Sequence, residues 1–182
     1  MKTFAMVGEI GDQMVINFID FFSKLDEKEN CFSIIIDSYG GSVSSANTIL
    51  NIITGTNKSV HTICGGCAAS AALVVLSAGD FRYADLTKSM CMFHESWSGH
   101  SGTNKEVKEG IETSSRFTKG FFKELYKNTN KDEKWWLNKL KNENKEFWFD
   151  GKQAKTYGVV DYLGFPLIVK QNEIVINQGK KR

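Results

Sequence analysis

"SVHTICGGCAASAALVVLSA", residues 59–78, begins with β-branched residues, crosses two glycines and closes on a run of small and apolar residues in which Ser70 stands among alanines. Residues 59–64 read as a buried strand, "GGCAAS" (65–70) as a turn, and residues 68–78 as a helix. The same order appears twice upstream. "TFAMVG" (3–8) reads as a strand, after which Met14, Val15, Phe18, Phe22 and Leu25 fall on one helical face. "FSIIID" (32–37) is a continuous apolar strand, followed by the turn "SYGGS" and a helix with Val43, Ala46, Leu50 and Ile53 on one side.

Strand, glycine turn and helix repeated in this way predict an α/β fold of β-α units, with parallel strands joined by right-handed crossovers and helices covering the sheet. Such sheets place their chemistry at the carboxyl ends of the strands. "SMCMFH" (89–94) is a further strand, ending in His94, and "ESWSGHSGT" (95–103) is a polar loop. A long helix is predicted over 104–128, with Val107, Ile111, Phe117, Phe121 and Leu125 down one side. It exceeds the usual globular length of about 11–12 residues, so part of it is expected to pack against another subunit. "DEKWWLNKL" (132–140) is a short amphipathic helix and "EFWF" (146–149) is extended. "DGKQAKTYG" (150–158) is a helix with Asp150 as N-cap and Gly158 as terminator. "VVDYL" and "EIVI" read as short strands, and "NQGKKR" as a solvated tail.

With 182 residues and no linker or low-complexity block, the chain is expected to form one domain over 1–182, its core about 3–163. The 23 basic and 21 acidic residues are interspersed and give a net charge of +2, which argues against nucleic-acid or membrane partners. Glu9 and Asp12 interrupt any secretory apolar run, and the apolar stretch 68–78 is too short to span a bilayer, so a cytoplasmic protein is expected. Four cysteines with a single CxxC (Cys64, Cys67), no second pair and no nearby His cluster do not form a zinc site, and no metal or cofactor is expected. Cys31 and Cys91 read as small buried hydrophobes.

Two chemistries remain open for residues 63–73. Ser70, after a bend and at a helix start with unpaired N–H groups, suits a nucleophile, whereas the CxxC suits redox work if a thiol is exposed and acidic. Taken alone, Ser70 also fits as a small packing residue. The N–H groups of Gly41, beyond the second strand, and of Ala71, after Ser70, would hold an oxyanion. His94 would serve as general base, with His61 inside a strand and His100 in a loop less suited.

"IIIDSYGGSVSSANTILNII" (34–53), "TICGGCAASAALVVLSAGD" (62–80) and "MCMFHESW" (90–97), in this order and at these spacings, resemble the Clp protease proteolytic subunit and its relatives among phage head-maturation proteases. The resemblance covers roughly residues 3–163. It implies a Clp/crotonase-like fold with a protruding long helix, with Ser70 as nucleophile, His94 as base and Glu146 as the third member. The proteolytic subunits usually carry Asp at that last position, whereas the phage-type proteases are more similar here, with an acid two residues before a Trp as in Glu146 and Trp148. A Glu still orients an imidazole, and Asp150 is the next acid in line. The resemblance also makes the CxxC a packing feature.

The implied function is a serine endopeptidase acting through an acyl-enzyme on peptides or unfolded proteins. The implied assembly is a homo-oligomer of stacked six- or seven-membered rings joined by the long helix. The chain starts almost at the strand matching "TFAMVGEIGDQ", so a stand-alone peptidase or a phage-type maturation protease is expected rather than coupling to an ATP-driven unfoldase. The alternatives are a crotonase-type acyl-CoA enzyme, which needs no Ser and His pair, and a catalytically silent ring subunit.

Overall fold

The computed structural model describes residues 1–96, 99–142, 145–168 and 174–176. The elements run β1 (Lys2–Val7), α1 (Asp12–Ser23), β2 (Cys31–Ser38), α2 (Val43–Gly55), β3 (Ser59–Ala69), α3 (Ala71–Ser77), β4 (Phe81–Ala84) and β5 (Met90–His94). They continue as α4 (Asn104–Asn128), α5 (Glu133–Asn142), β6 (Glu146–Asp150), α6 (Gly151–Thr156), β7 (Tyr162–Leu163), β8 (Pro166–Ile168) and β9 (Ile174–Ile176). The strand-helix alternation of the first half is therefore as the periodicity predicts.

β1, β2, β3, β4 and β7 lie side by side in that order, all parallel. β3 is long enough to serve two neighbours on one side. Its residues His61–Cys64 pair with β4, and its residues Cys67–Ala69 pair with β5, again in parallel. β6 then adds to β5 antiparallel, so the predicted parallel sheet carries one antiparallel edge. β8 and β9 form a separate antiparallel pair, and "VVDYL" contributes only Tyr162–Leu163 as strand because Val159 and Val160 pack into the core before it. The predicted tail, 177–182, lies outside the described residues, as do Trp97 and Ser98 of the polar loop.

The glycine pair is not the turn that the sequence suggests. β3 continues through Gly65 and Gly66 to Ala69, and the chain reverses only at Ser70. Between the pairs Ile36/Cys64 and Ser38/Ala68, β3 advances four residues while β2 advances two. This bulge crowds β3 against β2. A Cβ on Gly65 would stand 3.0 Å from Ile35 Cγ2, and one on Gly66 would stand 2.8 Å from Asp37 Oδ1. Asp37 Oδ1 accepts the N–H of Cys67 at 3.0 Å and so satisfies a donor that the bulge takes out of the ladder.

α3 is apolar all round because every one of its residues is buried, which also explains why it shows no 3.6-residue period. On the side of α1, Phe4, Phe18, Phe21 and Phe32 form an aromatic cluster, with Phe4 and Phe18 edge to face at 5.1 Å. Trp136 of α5 is fully buried against Phe93 and Phe149, fastening α5 to β5 and β6. Each such side chain contributes roughly 1.5–3 kcal/mol by leaving water. α1 ends at Ser23, so Leu25 packs on the core from the loop rather than from the helix.

α4 has the predicted bounds and opens on a capping box between Thr103 and Glu106. Its apolar stripe divides. Phe121, Phe122 and Leu125 are buried in the chain's own core, whereas Ile111 and Phe117 are 53% and 45% exposed. Phe121 therefore belongs to the fold rather than to a free surface. Among the described residues no helix is long and apolar enough to cross a membrane, and no cluster of His, Cys, Asp and Glu side chains is arranged to hold a metal.

His61 of β3 stacks on Phe81 at 4.7 Å and meets the Tyr83 hydroxyl at 3.4 Å. Burial pushes its pKa below the ordinary value, with Asp80 opposing. A buried histidine of lowered pKa is neutral in the fold, so its contribution is fully present above about pH 6.5 and is lost as pH falls through that unfolded value towards the folded one. In urea unfolding, the midpoint is expected to drop further between pH 7.5 and 5.5 in the wild type than in His61→Phe. Equal drops would remove His61 from the acid sensitivity.

Candidate active site

Ser70 has φ 56° and ψ −122°, a left-handed conformation that a non-glycine residue rarely adopts, and it costs of order 1–3 kcal/mol. Its backbone is held from both sides. The Ser70 N–H donates to Met92 O of β5 at 2.8 Å, and Ser70 O accepts the N–H of Leu73 at 3.1 Å as α3 begins. The side chain takes no part in capping α3, so the elbow presents the hydroxyl outward instead of spending it on the helix.

β5 pairs in parallel with the last residues of β3, and its own last residue is His94. This pairing brings the two carboxyl ends together although they are 24 residues apart in sequence. His94 Nε2 and Ser70 Oγ share a hydrogen bond of 2.8 Å. The imidazole is half-buried.

Gly40 abuts the same elbow. Its φ is +96°, and a Cβ there would lie 2.8 Å from Ala69 O and Ser70 Cβ and 3.0 Å from Ala71 N. Only glycine fits at this approach. The sequence marks the Gly40–Gly41 pair for its freedom of backbone but not this contact, since nothing in the one-dimensional pattern says which turn a glycine will touch. Gly41 forms an isolated parallel bridge with Ile10: Ile10 N–H donates to Gly40 O at 2.9 Å, and Ser42 N–H donates to Ile10 O at 2.8 Å. In such a bridge the N–H of Gly41 is not bonded to Ile10, whose partners are Gly40 O and Ser42 N–H. The Ala71 N–H, first in α3, has no partner within the helix.

Glu146 opens β6 directly opposite His94 in the antiparallel ladder. Opposed residues share a face with Cβ atoms about 4.5–5.5 Å apart, so the carboxylate is within reach of the ring. It is bonded elsewhere: Glu146 Oε2 accepts the indole N–H of Trp148 at 3.2 Å, and among the described residues no hydrogen bond reaches His94 Nδ1. Asp150 lies four residues along β6, about 13 Å from Glu146 by strand rise. It pairs with Met90, and its carboxylate caps α6 through Gln153 N at 2.8 Å, so it is committed to the helix that sequence reasoning gave it. His100 is bonded to Ser114 beside α4.

The cysteines are free thiols: Cys64, Cys67 and Cys91 are buried, whereas Cys31, expected to be buried, is half-buried at the start of β2. Burial pushes the Cys67 thiol up to about 11, and the neighbouring thiol of Cys64 holds that of Cys91 well above the ordinary value. A thiol so raised is not a thiolate near neutral pH, which leaves the CxxC without nucleophilic chemistry at Cys67. Beside His94 a cleft of about 400 Å³ opens between α4 and α5, walled by Phe93, Ile111, Thr118, Phe122, Leu137 and Leu140.

A sequence profile described as Clp protease matches residues 2–165, which contain every motif and site residue named above. The chain belongs to the Clp protease family. Among its relatives, the ATP-dependent Clp protease proteolytic subunit of Bacteroides thetaiotaomicron is 32% identical over 136 residues, covering 71% of this chain and 58% of the relative. The ATP-dependent Clp protease proteolytic subunit of Bacteroides fragilis (strain ATCC 25285) is also 32% identical over 136 residues, covering 71% of this chain and 61% of that relative. Proteolytic subunit 2 of Bacillus licheniformis is 29% identical over 143 residues, 77% of this chain and 73% of its own length. The matched stretch thus spans less than two thirds of both Bacteroides relatives. Within the Clp protease family, the mostly parallel sheet and the long α4 agree with the fold expected from the sequence.

Proposed function

We propose that this Clp protease family member is a serine endopeptidase. The observation that carries the reading is the 2.8 Å hydrogen bond between His94 Nε2 and Ser70 Oγ on a strained elbow. With the imidazole proton on Nδ1, Ser70 donates to Nε2, so the ring takes the proton as Oγ attacks a peptide carbonyl. The C–O bond forms and the carbonyl π electrons move to its oxygen, where the N–H groups of Gly41 and Ala71 face the developing charge. Collapse breaks the C–N bond, and His94 passes its proton to the leaving amine. Water then repeats the sequence on the acyl-enzyme. Glu146, turned from Trp148 or shared with it, accepts the Nδ1–H of His94 and stabilises the imidazolium. The cleft beside His94 gives one large side chain of the peptide an apolar wall to pack on.

The reading is tested by a fluorophosphonate probe and peptide mapping. Modification is expected at Ser70 alone and absent from Ser70→Ala. Labelling that persists in the variant would place the reactive hydroxyl elsewhere, and intact protein that never labels would favour the silent subunit.

We propose further that the exposed half of α4 is covered by another copy in a ring-shaped homo-oligomer, which would restrict access to the Ser70 sites to peptides and unfolded chains. Ile111, at the edge of the cleft, and Phe117 are each about half exposed in the lone chain. Changing both to Asp is expected to shift sedimentation from an oligomer to smaller species with α4 still folded, whereas Phe121→Asp should unfold the chain. An oligomer unchanged by the double substitution would put the interface elsewhere.

A further inference from the structure

Glu146 carries one more rotatable bond than an aspartate would at the same strand position. An exposed carboxylate on such a stem samples several rotamers, and only some of them present an oxygen to the imidazole opposite. Something must select among them. Trp148, two residues on and therefore on the same face of β6, donates its indole N–H to Glu146 Oε2 at 3.2 Å. Across the ladder, Glu146 faces His94 while Trp148 faces Met92. The indole is 39% exposed, and its neighbours Phe147 and Phe149 point into the core on the other face. Its position therefore owes little to core packing.

Trp148 has a second neighbour, Tyr39, which is itself 74% exposed. The ring of Tyr39 meets it edge to face, with centroids 6.4 Å apart and planes at 68°. Tyr39 immediately precedes Gly40, whose backbone abuts the Ser70 elbow. A set of contacts thus runs from the Gly40 turn through Tyr39 and Trp148 to Glu146, which the ladder register sets opposite His94.

We propose that Trp148 is a positioning residue: its indole N–H holds one carboxylate oxygen of Glu146 and leaves the other for His94 Nδ1–H. A carboxylate offers about four lone-pair sites on two oxygens, so both donors are served at once. The proposal rests on the peptidase reading for its consequence in catalysis, but its geometry can be measured without turnover. A carboxylate held against an imidazole favours its charged form, and loss of the indole donor weakens that hold.

The experiment uses the full chain. In Ser70→Ala protein, the ring signal of His94 is assigned by His94→Ala and titrated by NMR with and without Trp148→Phe, which keeps an aromatic ring for Tyr39. The titration measured for the His94 ring is expected to move to lower pH in Trp148→Phe, and not to move further when Trp148→Phe is added to Glu146→Gln. The indole cross-peak of Trp148 is expected to shift in Glu146→Gln. In the active chain, Trp148→Phe should lower kcat about 5- to 10-fold with KM little changed, and move the acidic limb of the kcat/KM profile to lower pH. An unmoved His94 titration, an unmoved indole signal, or a loss confined to KM would overturn the proposal. Failure of the peptidase reading is seen separately, as unlabelled Ser70, while the two NMR measurements still decide whether Trp148 holds Glu146 against His94.

Discussion

Ser70→Ala is expected to lower kcat for a fluorogenic peptide by about 10³-fold or more while leaving the fold intact. A serine, its base and the orienting acid act as a unit, and removing the nucleophile leaves only the oxyanion donors and substrate binding. The structure makes the substitution conservative in every other respect. The hydroxyl caps no helix, and its hydrogen bond to His94 is the side-chain contact that is lost. The residues on either side, Ala69 and Ala71, are buried alanines. The strain at φ 56° is borne equally by serine and alanine, because both carry a Cβ and no more at the branch point that matters. Thermal unfolding should therefore shift by no more than a few degrees, equivalent to about 1 kcal/mol. Hydrolysis retained above a tenth of the wild-type rate would remove Ser70 from the nucleophile's role, and a collapsed melting transition would show that the elbow depends on the hydroxyl in a way its contacts do not reveal.

What the sequence makes legible follows from how much each signal depends on local residues. β2 and α2 are read correctly because a β-branched run and a 3.6-residue stripe are local patterns, separated by a turn whose Ser42 caps the helix through Ser45 N–H. The boundary between β3 and α3 is not legible. Cys67, Ala68 and Ala69 satisfy strand and helix alike, and what keeps them in the strand is pairing with β5 on one side and the Asp37 carboxylate on the other. Both partners are distant in sequence. The bulge at Gly65 and Gly66 is invisible for the same reason, so the glycines read as a turn when they serve as relief from Ile35 and Asp37.

The site divides similarly. Ser70 and His94 can each be suspected from an elbow or strand end, but their meeting depends on β3 and β5 being neighbours, which the resemblance implied and periodicity did not. Glu146 was placed by the resemblance alone. The structure puts it across the ladder from His94 and, at the same time, on the indole of Trp148; the resemblance pairs the acid with that Trp, and the hydrogen bond between them is visible only in the structure. The long helix is a case of a correct element with a misjudged face: the stripe from Val107 to Leu125 is continuous in sequence, yet its second half is used by the chain's own core.

His94→Ala should cost nearly as much as Ser70→Ala, and the two losses should not add. Without the imidazole, the hydroxyl has no acceptor for its proton near neutral pH, where its own acidity leaves almost none of it ionised, so attack slows by about 10³-fold or more. Once Ser70 is gone, the base has no proton to take, and adding His94→Ala to Ser70→Ala should change the residual rate less than about threefold. Glu146→Gln keeps both reacting groups and removes only the charge that favours the imidazolium, so it should fall between wild type and the other two variants. The order expected for kcat is therefore wild type, then Glu146→Gln, then His94→Ala and Ser70→Ala close together with their double variant. Additive losses in the double variant would mean that the 2.8 Å contact is structural and that the two residues serve separate steps. Full activity in Glu146→Gln would take the orienting role away from β6 altogether, since Asp150, the next acid on that strand, is held at the start of α6 and lies too far along the ladder to reach the ring.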